Sequence, residues 1–275
     1  MKESELLEDE LLEDENISIA VLNTGLGAQE VLTLFRDSEM YADLMIDNED
    51  IMSGDAGKIE AAIGHLDMVI ILSNLSEHVE RELACKIAAI SKKAGVLTLV
   101  YNLVPFEFKD GGKRMGADLV KSSILKTDLY LAVVEDEEFE SLATKAKNIR
   151  NAIEAIAKVL TLPGIICIDA SDLRAAICTG KLATFGMGMS SDIVIAVEEA
   201  FSGNDVDNLN TSDISAVFIT LTGGGNLSVN DCALLGQSIE FRTSEHCMVM
   251  MGAVVEPSLN ELKQVSVIFI SPELY

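Results

Sequence analysis

The sequence predicts an α/β chain in which a Rossmann-like, mostly parallel sheet domain is joined by a long central helix to a smaller α+β domain with a mixed sheet. Three observations predict it. From Asn16 onward, short apolar runs of strand length alternate with helical stretches, the pattern of parallel strands linked by crossover helices. Over residues 139 to 160, Leu142, Ile149, Ile153, Ile156 and Leu160 fall on one face of a single helix. Beyond Pro163-Gly164, which stops that helix, the last third is rich in strands.

The elements follow in order. Leu6-Leu-Glu-Asp-Glu10 is repeated as Leu11-Leu-Glu-Asp-Glu15, so residues 1–15 read as an acidic, solvated tail, or as a short helix that docks through its leucine pairs. The predicted strands of the first domain, 16–138, are Ile17–Leu22, Tyr41–Ile46, Asp67–Leu72, Gly95–Val100 and Leu129–Val134. Helices are expected at Gln29–Phe35, Ala56–Ile63 and Glu77–Ala94. The central helix fills 139–162, and residues 163–275 hold strands at Gly164–Ile168, Ala216–Leu221, Cys247–Val255 and Gln264–Ile270, with a helix over Ser228–Gln237.

Composition excludes several functions. Of 275 residues 49% are hydrophobic, enough for a sizeable core, yet no apolar run nears the roughly 18 residues of a spanning helix. With 45 acidic against 20 basic residues the net charge is −25, which repels phosphate backbones and anionic lipid heads, so neither nucleic-acid nor direct membrane binding is expected. Five cysteines at irregular spacing form neither a disulfide framework nor a metal-ligand pattern, which suits a reducing cytoplasm. The histidines His65, His78 and His246 are isolated, so no metal site is expected.

Several ordered segments carry a family resemblance. Pro163-Gly-Ile-Ile-Cys-Ile-Asp-Ala-Ser-Asp-Leu-Arg174 resembles the FtsZ synergy loop, PGLINLDFADVR, and Thr179-Gly-Lys-Leu-Ala-Thr-Phe-Gly-Met-Gly188 continues it like GGLALMGIG. Val104-Pro-Phe-Glu-Phe-Lys-Asp-Gly-Gly-Lys-Arg-Met115 is similar to PFxFEGKKRM. Leu221–Val229, Met251–Glu256 and Val265–Ile270 resemble ITGGxDLTL, FGAVID and VRVTVIA. The chain therefore resembles the FtsZ/tubulin family from about Asn16 to Ile270. The resemblance implies a GTP-binding amino-terminal domain and head-to-tail filaments, in which the synergy loop of one subunit reaches the nucleotide held by the next.

On this resemblance, Asp169 and Asp172 are the catalytic candidates. They would position water at the γ-phosphate of a neighbouring subunit's nucleotide, with Cys167 where the family has Asn. Their plain structural reading is as caps of the following helix. The nucleotide-binding candidates are Gly25 and Gly27 in Leu22-Asn-Thr-Gly-Leu-Gly-Ala28, Ser73 and Asn74 where the family's GGGTGTG falls, and Glu135 where IPNDRL falls. Ser73–Val79 contains no glycine, and Cβ atoms there oppose a tight nest of N–H groups around phosphates. Glu77, Glu80 and Glu82 front the helix that follows and answer its dipole themselves. Asn74 with Glu77 three residues on reads as a capping-box-like helix start.

These features predict an FtsZ-like cytoskeletal protein that acts by filament assembly, or by capping or modulating conventional FtsZ filaments, with little or no GTP hydrolysis of its own. Its partners would be itself or a conventional FtsZ, and no cofactor is expected. The alternatives are a nucleotide-independent homopolymer and an active GTPase that binds GTP or GDP with Mg²⁺ through a rearranged pocket.

Overall fold

Among the described residues, nine strands form one sheet in the order β1-β2-β3-β4-β6-β9-β7-β8-β5. The computed structural model describes residues 17–25, 33, 48–75, 77–103, 127–131, 142–162, 164–202 and 214–272. The chain runs through β1 (Ile19–Asn23), α1 (Asn48–Met52), α2 (Ala56–Ile63), β2 (Met68–Ser73), α3 (His78–Ala94), β3 (Leu97–Asn102) and β4 (Leu129–Leu131). The long helix α4 (Leu142–Thr161) leads to β5 (Gly164–Ile166), α5 (Ala170–Ile177), β6 (Leu182–Ser190) and α6 (Ile193–Ala200). Then come β7 (Ala216–Gly223), α7 (Val229–Glu240), β8 (Met248–Val255) and β9 (Lys263–Ser271).

The first four strands are parallel, with α1 and α2 crossing from β1 to β2 and α3 from β2 to β3, and with Val21 opposite Ile70 and Ile70 opposite Leu99. Strand β4 passes the sheet to β6 through the parallel pairs Tyr130–Leu182 and Leu131–Ala183. Beyond β6 the sheet is mixed: β9 is antiparallel to β6 and β7, β8 is parallel to β7, and the short β5 closes the edge antiparallel to β8.

Alternation along the strands sorts the core into three packed groups. On one face lies α4, whose Ile149, Ile153, Ile156 and Leu160 are buried against Met68, Ile70, Leu99, Phe218 and Ile268 from both ends of the sheet. Thr220 Oγ1 donates to the Ala155 carbonyl at 2.8 Å, a buried bond that fixes α4 on β7. The opposite face is covered by α1 to α3 over β1, β2 and β3, and by α6 and α7 over β6, β7 and β9. Glycine decides one of these approaches: a Cβ on Gly252 of β8 would stand 1.9 Å from Val159 Cγ2 of α4.

The predicted strands at 17–22, 67–72 and 95–100 appear within two residues of their expected bounds, as do those of the last third. Tyr41–Ile46, all of Gln29–Phe35 except helical Thr33, the segment beyond Leu131 and the side chain of Leu142 lie outside the described residues. Among the described elements, α1, β6 and α6 were not anticipated. Strand β6 contains Gly186 and Gly188, poor strand formers, while α6 begins Ile193-Val-Ile195, a β-branched run. Packing explains the exchange, since a Cβ on Gly188 would stand 2.0 Å from the Ala196 carbonyl of α6.

Candidate functional site

The parallel strands β1, β2 and β3 end together in polar residues, and the carboxyl ends of parallel strands are where α/β sheets place ligands. Asn23, Thr24, Ser73 and Asn102 are all at most 3% exposed there. Continuing the alternation, Thr24, Ser73 and Asn102 share the face that packs on α2 and α3, and Ser73 is the register partner of Asn102. Their bonds hold local backbone: Thr24 Oγ1 donates to the Leu72 carbonyl at 3.3 Å, and Asn102 Oδ1 accepts from Leu75 N at 3.0 Å. Asn23 Oδ1 accepts from Gly25 N at 3.0 Å. The Ser73 hydroxyl, fully buried, has no hydrogen-bond partner among the described residues.

The turn that follows differs from the expected helix start. Helix α3 begins at His78 with Glu77 in the N-cap position, and Glu77 makes no side-chain cap bond. Asn74 is therefore not the cap; its carbonyl accepts from Glu77 N at 3.1 Å, which closes a turn before the helix. Glu80, third residue of the helix, also departs from a capping box, in which it would reach the N-cap amide. Its carboxylate instead extends to the Asn74 amide, accepting that N–H on Oε2 at 2.9 Å.

The same carboxylate lies against Gly25 of the loop after β1. A Cβ on Gly25 would stand 2.0 Å from Glu80 Oε1 and 2.1 Å from its Cδ, so any larger residue there would oblige the end of the Glu80 side chain to move. Arg81 completes the turn, donating from Nη1 to the Leu75 carbonyl at 2.8 Å. Of the sequence-predicted pocket residues, Gly25, Ser73 and Asn74 thus gather at one place, whereas Gly27 and Glu135 lie outside the described residues. Asn23, Thr24 and Asn102 had not been anticipated; the available signal was a polar residue ending each apolar strand.

Asp169 and Asp172 sit at the start of α5, after the short edge strand. They form a reciprocal cap: Asp169 Oδ1 accepts from Asp172 N at 2.8 Å, and Asp172 Oδ2 accepts from Asp169 N at 3.3 Å. The Ser171 hydroxyl donates to Asp169 Oδ1 at 2.7 Å, and that bond, with the Asp172 amide, holds the Asp169 carboxyl below its ordinary pKa. The Asp169 carboxylate is thereby held in its ionised form, and the loop from Cys167 is open to solvent. Arg174 Nη2 donates to the Gly95 carbonyl at 2.9 Å, tying α5 to the turn after α3. Among the described residues, no three His, Cys, Asp or Glu side chains converge as a metal site, and no helix is long and apolar enough to cross a membrane.

The chain is similar to known proteins in sequence and in fold. The model of the FtsZ family, C-terminal domain, matches residues 180–271. The cell division protein FtsZ of Buchnera aphidicola subsp. Baizongia pistaciae is 25% identical over 228 residues, covering 78% of this chain and 59% of the relative. The chain thus spans about three-fifths of the length of the FtsZ relatives it matches. Among solved structures, an empty FtsZ dimer from M. jannaschii superposes with a TM-score of 0.77 at 20% identity, covering 98% of this chain and 93% of that one. The GTPγS-bound protofilament of CetZ2 from Haloferax volcanii does so with a TM-score of 0.68 at 12% identity, covering 93% of each. Residues 180–271 thus match an FtsZ carboxy-terminal domain, and the chain as a whole is a divergent, FtsZ-like sequence that shares the fold of the FtsZ and CetZ structures.

Proposed function

We propose that this chain is a cytoskeletal protein of the cell-division type that works by assembly, presenting its Asp169–Asp172 loop to a neighbouring FtsZ-type subunit and hydrolysing little or no GTP itself. The observation that carries this reading is the bond from the Asn74 amide to Glu80. At the strand ends where a phosphate would need backbone N–H groups, one such group is bonded to a carboxylate of the chain's own helix. A nucleotide phosphate would have to displace that carboxylate and accept its negative charge nearby. The exposed Asp169–Asp172 loop is under no such conflict.

Mixing the protein with a conventional FtsZ and following GTP turnover and sedimentation tests the reading. We expect turnover or polymer mass to change with added protein, and the change to weaken with Asp169→Asn. No effect of the unsubstituted protein at equimolar ratio overturns it. Calorimetric titration with GTP, GDP and Mg²⁺ tests the enzymatic alternative, and micromolar binding would establish that alternative instead.

Self-assembly is a second reading, favoured by the dimeric and protofilament states of the FtsZ and CetZ structures that share this fold. Electron microscopy of the protein alone, without nucleotide, distinguishes a homopolymer from a cap.

A further inference from the structure

We propose that Glu80 is a built-in anion, a carboxylate that occupies an oxyanion site made by the chain itself and keeps the turn at Ser73–Leu75 and the loop at Asn23–Gly25 in the arrangement a bound phosphate group would impose. The inference rests on the reading that this pocket has no nucleotide of its own, and it deepens that reading by naming what takes the ligand's place.

Three independent observations support it. First, Glu80 uses its carboxylate in an unusual direction. A third-position glutamate stabilises a helix most simply by bonding the N-cap amide, but here it bypasses Glu77 and accepts the amide of Asn74, outside the helix. Second, the carboxylate is accommodated by a glycine of the loop after β1. The Gly25 backbone lies so close that a Cβ would overlap Oε1, Cδ and Cγ, so a side chain at this position would push the flexible end of Glu80 away from the Asn74 amide. Third, the Ser73 hydroxyl is fully buried with no partner among the described residues, next in sequence to the amide Glu80 occupies and on the sheet face that α3 covers. A buried hydroxyl without a partner is costly and uncommon, and among the described residues none, Glu80 included, bonds this one, so an unmet hydrogen-bonding group lies beside the amide that Glu80 occupies.

The site is also electrostatically coherent. Helix α3 spans His78–Ala94, and the aligned peptide dipoles of such a helix leave a partial positive charge at its N-terminus that stabilises an anion there. The remaining acidic residues of the first turns, Glu77 and Glu82, point away from this role: Glu77 makes no cap bond, and Glu82 Oε1 pairs with His78 Nε2 at 3.6 Å on the surface. Among the described residues, Glu80 alone is bonded through its carboxylate at the strand ends. Removing it should leave an anion site of the phosphate class, with the Asn74 amide and the helix terminus as donors, Gly25 as the open wall and Arg81 close by.

The test uses the full chain and pyrophosphate as the probe, with amide exchange at Asn74 and calorimetry as readouts. In the unsubstituted protein the Asn74 amide should be protected without any ligand, and pyrophosphate should neither bind nor alter its exchange. In Glu80→Ala that amide should exchange about tenfold faster or more, as expected when a charge-assisted bond is lost, and pyrophosphate should bind and restore protection. Glu80→Gln is the milder variant: its side-chain oxygen can still accept the Asn74 N–H, so protection should persist, while loss of the charge should raise pyrophosphate affinity above that of the unsubstituted protein. Unchanged Asn74 exchange in Glu80→Ala, or pyrophosphate binding no tighter in either variant than in the unsubstituted protein, overturns the proposal. Neither readout involves Asp169 or a conventional FtsZ, so failure here leaves the assembly reading intact.

Discussion

The carboxylate of Asp169 accepts the amide of Asp172 at 2.8 Å while the carboxylate of Asp172 accepts that of Asp169 at 3.3 Å. The two residues with the best claim to act on a partner are therefore also the residues that start α5. Any alanine substitution confounds these roles. Asp169→Ala should lower stability by about 1 kcal/mol through the lost cap, whereas Asp169→Asn and Asp169→Ser, which cap nearly as well, should stay within a few tenths of the unsubstituted value. Urea unfolding measures this. If the asparagine variant keeps its stability but loses its effect on FtsZ turnover, charge at Asp169 serves the partner; if it loses neither, the residue is a cap alone.

A second prediction concerns the attachment of the long helix. Lys158 of α4 donates to Glu256 just beyond β8 at 2.8 Å, and it lies 4.0 Å from Glu154, whose side chain is 11% exposed. Burial raises the Glu256 carboxyl, but the bonds from Lys158 and Ser258 outweigh it and leave the pKa lowered. Lys158→Ala would leave Glu154 and Glu256 without their shared cation, with only Arg150 on Glu154 at 2.7 Å, and should destabilise the fold by about 2 kcal/mol. Glu256→Gln, which keeps a hydrogen-bond acceptor for Lys158, should lower stability by about 1 kcal/mol. Thermal unfolding of the two variants checks the order.

The glycines give a third. Gly188 has its Cα pressed on the α6 backbone, where a Cβ would meet the Ala196 carbonyl at 2.0 Å, whereas Gly225 in the turn after β7 has nothing within 4 Å of that position. Gly188→Ala should therefore lower stability by about 1–3 kcal/mol, as overpacking does, while Gly225→Ala should be near neutral. Equal unfolding midpoints for the two would contradict the close packing of α6 on β6.

These cases show what was readable from the sequence. The parallel half was legible because its strands are continuous apolar runs and its helices carry a clear period, as Ile149, Ile153, Ile156 and Leu160 illustrate. Strand β6 and helix α6 were not, because each is held in its state by the other: Gly188 is tolerated in a strand for the helix above it, and Ile193-Val-Ile195 forms a helix for the sheet below. At the candidate site, the missing glycines of Ser73–Val79 were visible, and so was the acidic front of α3. The destination of Glu80 was not, since bonding Asn74 while lying against Gly25 joins parts of the chain that no local pattern connects. Local rules instead favoured Asn74 as a cap, a role that falls to Glu77.

The last prediction concerns acid stability at the start of α7. Ser228 Oγ donates to Asp231 Oδ2 at 2.6 Å, Ser228 N donates to the same oxygen at 3.0 Å, and Lys263 of β9 lies 3.3 Å from Asp231 Oδ1. Burial of Asp231 raises its pKa, but Ser228 and Lys263 together more than reverse that, so the folded-state value lies below the ordinary carboxylate range. A carboxyl with a depressed folded pKa stabilises the fold at pH above its unfolded value, about 3.9, and that contribution fades as pH falls through the folded value. Asp231→Asn should therefore lower stability by about 1–2 kcal/mol at neutral pH, with the gap to the unsubstituted protein closing as pH drops below about 4. Lys263→Met should act in the same direction by removing the cation that helps hold Asp231 ionised. Unfolding midpoints measured across this range decide the matter: a gap that stays constant into acid would mean that Asp231 contributes through shape and neutral hydrogen bonds, with no contribution from its charge.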